Sequence, residues 1–121
     1  MSHLGEDTDF DASALPPVIR SYLNKQLDRS QRPSMVELFA SDARVVDEGI
    51  EYSGIDAIRG WLGTVASQYT YTTTFTGQRH GEGDRWEVLA RLEGNFPGGV
   101  ADLRFRFVID DGCIVDLVIA P

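Results

Sequence analysis

Residues 39–59 read FASDARVVDEGIEYSGIDAIR, and the signals packed into them decide how the rest of the chain is laid out. A helix end runs into the alternating stretch Ala43-Arg44-Val45-Val46-Asp47-Glu48. Glu48-Gly49 is turn chemistry, and Ile50 to Tyr52 forms a short second strand. Ser53-Gly54-Ile55-Asp56 then opens a long helix in capping-box style, with Asp in the place of the usual Glu. Alternation puts Ala43, Val45 and Asp47 on one face and Arg44, Val46 and Glu48 on the other. The first face is the more apolar, so it faces the core and turns the Asp47 carboxylate inward. A carboxylate there is costly unless it is paired, hydrogen-bonded or reached by water, which makes Asp47 the first candidate for chemistry. The plain alternative is a structural aspartate accepting hydrogen bonds at the strand end before Gly49.

Upstream of this stretch, residues 1–12 read as a flexible polar tail, apart from Phe10. A single domain spans 13–121. Ser13 is placed to cap a first helix whose opening turn tolerates Pro16 and Pro17. Its inward stripe is Leu15, Val18, Ile19, Tyr22, Leu23, Gln26 and Leu27, so Tyr22 lies on the buried side with a hydroxyl that needs a partner. Gln31-Arg32-Pro33-Ser34 breaks the chain before a short second helix carrying Met35, Leu38 and Phe39.

Downstream, Ile55, Ile58, Trp61, Leu62, Val65 and Tyr69 give the third helix its inward stripe. The period changes to two after Ser67. Tyr71, Thr73 and Phe75 share one face of a Thr-rich strand, and Trp86, Val88, Ala90 and Leu92 share one face of the next. Ala101, Leu103, Phe105, Phe107 and Ile109 alternate with Asp102, Arg104, Arg106 and Val108. After Asp110-Asp111-Gly112, Val115, Leu117 and Ile119 face one side and Asp116 the other. The architecture expected is α+β: three helices in the N-terminal half, lying on the concave face of one strongly curved, mixed or antiparallel sheet. A sheet closed in this way leaves a tapering interior able to hold a small ligand.

The composition narrows the function classes. Acidic residues number 19 against 11 basic ones, for a net charge of −8 over 121 residues. Such a surface repels phosphate backbones and anionic membranes, so no nucleic-acid or membrane partner is expected. Cys113 is the only cysteine, which excludes an internal disulfide and fits a reducing, cytoplasmic setting. No stretch reaches the ~18 apolar residues of a membrane span, and the N-terminus has no signal-peptide pattern. His3 and His80 are too few and too far apart to suggest a metal cluster.

The phrases VIRSYL (18–23), ELFASDARVVDEG (37–49), YSGIDAIRGWL (52–62) and DLRFRFVIDDGCIVDLVI (102–119), in this order of elements, resemble the NTF2-like superfamily. The likeness is to its SnoaL-like and ketosteroid-isomerase-like branch and covers most of residues 14–120. It implies a cone-shaped fold, and a function among isomerases, cyclases, epoxide hydrolases, dehydratases and catalytically silent binding domains. Carried over residue by residue, the isomerase pattern puts its helix tyrosine on Tyr22 and its general-base aspartate on Asp47. Its third residue, a protonated aspartate ahead of Phe-x-Phe, falls on Leu103; Asp102 is adjacent but has the opposite parity. With Leu103 there, half of the oxyanion hole is missing. The epoxide-hydrolase pattern would draw on Arg91, Arg104 and Asp116, all on the apparent outer face.

Asp47 and Tyr22 are therefore the candidate catalytic pair. Val18, Trp61, Tyr71, Phe75, Trp86, Leu103, Phe105 and Leu117 are the candidate lining of a pocket for a small apolar or aromatic ligand, without cofactor or metal. The enzyme hypothesis is proton abstraction by Asp47 on a carbonyl-type substrate whose oxygen Tyr22 hydrogen-bonds. Against it stands a non-catalytic binding or dimerisation module of the same shape, in which Tyr22 and the aromatic residues are core. Leu89 and Val108 give the outer sheet face some apolar area, which suggests a homodimer through that face.

Overall fold

The computed structural model describes residues 7–64 and 68–121. Helix α1 runs Pro17–Gln26, strand β1 Phe39–Asp47, β2 Ile50–Ser53, helix α2 Ile55–Gly63, β3 Tyr71–His80, β4 Arg85–Gly94, β5 Val100–Asp110 and β6 Cys113–Ala120. A 3-10 segment, Arg29–Leu38, links α1 to β1. The six strands form one sheet in the order β2-β1-β6-β5-β4-β3. β1 lies parallel to β6 and every other neighbouring pair is antiparallel, so the sheet is mixed. The fold is the expected α+β cone, with α1, the 3-10 segment and α2 against one open sheet. No helix among the described residues is long and apolar enough to cross a membrane.

Several local expectations give way for identifiable reasons. Ser13 does not cap α1: Asp11 accepts from its backbone N–H at 3.0 Å and its hydroxyl at 2.6 Å, closing a single 3-10 turn, and α1 starts at Pro17. Leu27 is 54% exposed because α1 ends one residue earlier. Pro33 does not open a separate helix but lies inside the 3-10 segment, which tolerates its missing N–H. Ser53 forms no capping box either. It is still paired to Arg44 in the β2 ladder, its hydroxyl donates to Glu51 at 2.7 Å, and α2 is capped by Gly54 at φ 86, a conformation that favours glycine. α2 is short, and Tyr69 lies beyond its end. Val65 and Ser67 fall outside the described residues.

Three register shifts bend the sheet, in β1·β6, β3·β4 and β5·β6. An extra residue in one strand locally increases twist and curvature. In β6 the extra residue is Val115. Ile109 pairs with Ile114 and Val108 with Asp116, so Ile114 is fully buried while Val115 is only half-buried. In β3 it is Thr76, after which Gln78 rather than Gly77 sits opposite buried Val88.

Residues 7–12, assigned above to the tail, lie along β3, the sheet's edge. Thr8 and Gln78 exchange backbone hydrogen bonds at 2.8 and 2.9 Å, and the Asp11 N–H donates to Gln78 Oε1 at 2.8 Å. The Phe10 ring lies tilted against Phe75, with ring centroids 5.1 Å apart. Asp7 accepts from both Arg79 and Arg104, whose guanidinium groups hold its carboxyl below the usual range. This strap covers an edge that would otherwise offer free ladder groups to another chain.

The core divides into two ends. Ile19, Val45, Val88, Phe107, Ile114 and Leu117 fill one end, each no more than 1% exposed. At the other end, where β1 and β6 finish and β3 begins, the helices and the sheet stand apart.

Candidate functional site

The space left at that end is a cavity of about 520 Å³. Half-buried or exposed Glu48, Tyr69, Pro97 and Pro121 stand among its lining and mark its mouth. Asp47, the last residue of β1, enters the cavity because the hairpin turns immediately after it. Glu48 and Gly49 both take positive φ, 53° and 76°, the geometry of a two-residue turn matched to strand twist. The Asp47 carboxylate is half-buried and accepts a hydrogen bond from Trp61 Nε1 at 3.0 Å on Oδ2. Burial raises its pKa above the ordinary carboxylate range. The Trp61 N–H works against that rise, and the neighbouring Glu48 charge adds to it.

Tyr22 comes from the middle of α1. Its ring is held edge-on by Phe107 at 5.2 Å and by Phe39 and Phe105, each at 6.3 Å between centroids. Its hydroxyl has no hydrogen-bond partner among the described residues, and the side chain borders the same cavity. Burial raises its pKa well above the usual phenol range, with Tyr71 and Asp47 adding to the shift. The group therefore stays a protonated donor. Tyr71, half-buried across the cavity, is raised in the same direction chiefly by burial.

Of the expected lining, Trp61, Tyr71, Leu103 and Phe105 border this cavity together with Tyr22 and Asp47. Val18, Phe75, Trp86 and Leu117 do not. Val18 packs half-buried against the core from α1. Phe75 is covered by Phe10, and Trp86 stacks on His80 at 3.8 Å near the opposite strand end. Leu117 is fully buried, paired with Val45 and Phe107 in the solid half. Strand parity, and for Val18 the helical stripe, put these residues on the inner side but did not say at which end of the cone they lie.

Leu103 borders the cavity, whereas Asp102 is on the outer face, bonded twice to Arg91 at 2.9 and 3.1 Å. The pieces of the epoxide-hydrolase pattern are likewise held outside. Arg91 pairs with Asp102, Arg104 with Glu87 and Asp7, and Asp116 with Arg44 at 2.8 Å.

Two buried polar residues of the cavity wall were not singled out as site candidates from the sequence. Gln26 and Arg32 are each only 5% exposed, and both border the cavity. Gln26 gave a weak signal, a polar residue on an apolar stripe between Leu23 and Leu27. Arg32 gave none, since it sits in a segment with no helical or strand period.

No protein-family model matches the chain, and no curated protein sequence matches it. Solved structures do. A provisionally assigned polyketide cyclase from Sinorhizobium meliloti is 31% identical with a TM-score of 0.80, over 92% of this chain and 100% of that one. A Catenulispora acidiphila protein with a ketosteroid isomerase-like fold, in complex with trimethylamine, is 17% identical with a TM-score of 0.75, over 89% of this chain and 87% of that one. The Δ5-3-ketosteroid isomerase of a Mycobacterium species is 18% identical with a TM-score of 0.67, over 88% and 94%. A cone with this strand order, and a full-length likeness at nearly one residue in three, establish that the chain belongs to the NTF2-like superfamily, in its SnoaL-like and ketosteroid-isomerase-like branch.

Proposed function

We propose that the chain is a cofactor-independent isomerase or cyclase in which Asp47 is the general base for a small, largely apolar carbonyl substrate. One observation carries this: a carboxylate oriented by Trp61 Nε1 at 3.0 Å stands in a cavity walled by Tyr22, Tyr71, Leu103 and Phe105. A raised pKa brings a carboxylate closer to the proton affinity of the carbon it deprotonates. The step moves one proton from the carbon beside the carbonyl to Asp47 Oδ1, leaving an enolate whose oxygen takes a hydrogen bond from Tyr22. Returning that proton to another carbon gives an isomer. Attack of the enolate carbon on a second carbonyl of the same molecule closes a ring, and the proton from Asp47 then neutralises the new alkoxide. The cyclase assignment of one relative, the isomerase activity of another and the trimethylamine held by a third support small-molecule chemistry on this fold.

Leu103 favours a second reading, a binding module without turnover. It offers the enolate no donor where the isomerase pattern has one, and a single such donor is worth about 100-fold or more in rate. Solvent-deuterium exchange at the α-carbon of 2-tetralone, followed by NMR, separates the two. The enzyme reading expects exchange above the buffer rate, lost by about 100-fold or more in Asp47→Asn with the fold intact. Equal exchange in the wild type and Asp47→Asn would remove it.

The same proposal includes a homodimer through the outer sheet face, supported by half-buried Leu89 and Val108 there, and a reducing cytoplasmic setting, supported by the single thiol of Cys113. Analytical ultracentrifugation of the wild type and Leu89→Asp checks the dimer, which the substitution should dissociate.

A further inference from the structure

Arg32 and Gln26 are buried polar groups that the acid–base chemistry does not use. Arg32 Nε donates to the Gln26 carbonyl oxygen at 3.0 Å, so one N–H of the guanidinium closes the last turn of α1. Its Cζ lies 4.7 Å from the centroid of the Tyr71 ring, which itself borders the cavity. Beyond these two contacts the guanidinium is unanswered: Nη1 is buried with no hydrogen-bond partner, and so is Gln26 Oε1. Among the described residues no carboxylate forms an ion pair with Arg32; exposed Asp28 feels its charge only from a distance and is itself bonded to Ser30 and Gln31. A buried guanidinium with no carboxylate in contact is costly to hold, and its fork is shaped for one. The Gln26 amide, turned over, presents an N–H instead of its unpartnered oxygen to the same space.

The cavity thus has a cation on one side and Asp47 on another. Tyr22 and Tyr71 feel both, since Asp47 pushes each phenol up and Arg32 pulls each down.

We propose that Arg32, with Gln26 beside it, receives a carboxylate carried by the substrate, whose flat apolar body lies against Trp61, Tyr71 and Phe105. The inference rests on the cavity being the ligand site, as proposed above, and names the substrate class as a small monoanionic acid. One guanidinium offsets one negative charge. Asp47 and Glu48 on the same wall, within a chain of net charge −8, oppose a dianion such as a phosphate ester.

The test is calorimetric binding of 2-naphthoate and its neutral partner 2-naphthamide at low salt. The wild type should bind naphthoate about tenfold or more tightly than naphthamide, the worth of a charge-assisted hydrogen bond. Arg32→Met should weaken naphthoate by about tenfold or more and bring the preference to about unity, with folding checked by circular dichroism. Gln26→Glu supplies the missing counter-charge from within; it should abolish the preference, raise the melting temperature, and carry the test should Arg32→Met not fold. Equal affinities in the wild type, or a preference that survives in either variant, overturn the carboxylate site. Equal affinities with binding retained leave the Asp47 reading standing, because that is scored separately on uncharged 2-tetralone. Failure of both naphthalenes to bind the wild type overturns this inference together with the cavity as the ligand site.

Discussion

Asp47 lives under two opposed influences, and each can be changed alone. Burial pushes its proton affinity up and the Trp61 N–H pulls it back, because that bond is made to the charged form. Trp61→Phe keeps the ring and deletes the donor, so the Asp47 pKa should rise further. The acid limb of a pH–rate profile for 2-tetralone exchange should move to higher pH; an unmoved limb would mean that the bond has no hold on the base. Burial also has a consequence for stability. Because the folded state holds the Asp47 proton more tightly than the unfolded chain, folding loses stability as pH rises from the unfolded carboxylate range of about 4 through the folded value. Asp47→Asn should therefore melt above the wild type at pH 7, and the gap should close by about pH 3. Asp47 was legible from sequence because Ala43 and Val45 share its parity. Arg32 was not, since a lone arginine beside a proline reads as surface, and only the packing of the 3-10 segment against α1 buries it.

At the scale of elements, the strands were legible wherever alternation ran unbroken, as in Trp86 to Leu92 and Ala101 to Ile109. Bulges hid the rest. An extra Val115 turns Ile114 into the core, and an extra Thr76 hands the inward positions from Phe75 to Gln78. Nothing in a run of apolar or threonine residues marks which one is unpaired. The strap was hidden for a different reason: its hold is mostly backbone pairing and ionic contact with β3, to which a polar sequence gives no clue. Gly77 lets it approach, because a Cβ there would stand 2.9 Å from the Thr8 carbonyl oxygen. Gly77→Ala should cost about 1–3 kcal/mol, the usual range for overpacking. It should also speed hydrogen exchange at the Gln78 amide, which donates to Thr8. Unchanged exchange there would mean that the strap adjusts freely.

The molecule as a whole divides its tasks between the two ends of the cone. The packed end supplies stability: Leu117→Ala, at a fully buried position, should cost about 2–5 kcal/mol. Leu103→Ala, at the half-buried cavity wall, should cost clearly less in the same denaturant titration, and it should change ligand affinity instead. Comparable losses at both sites would contradict this division. The arginine–carboxylate pairs of the outer face are solvent-exposed and contribute little to folding. All of this converges on one claim, that Asp47 and Tyr22 address a single ligand inside the open end. The most direct measurement is a crystal structure with 2-naphthol, a stable mimic of the enol. The account predicts the naphthol hydroxyl on Tyr22 Oη, its rings between Trp61 and Phe105, and a ring carbon facing Asp47 Oδ1. A naphthol bound outside the cavity, or inside it with its oxygen away from Tyr22, would contradict it.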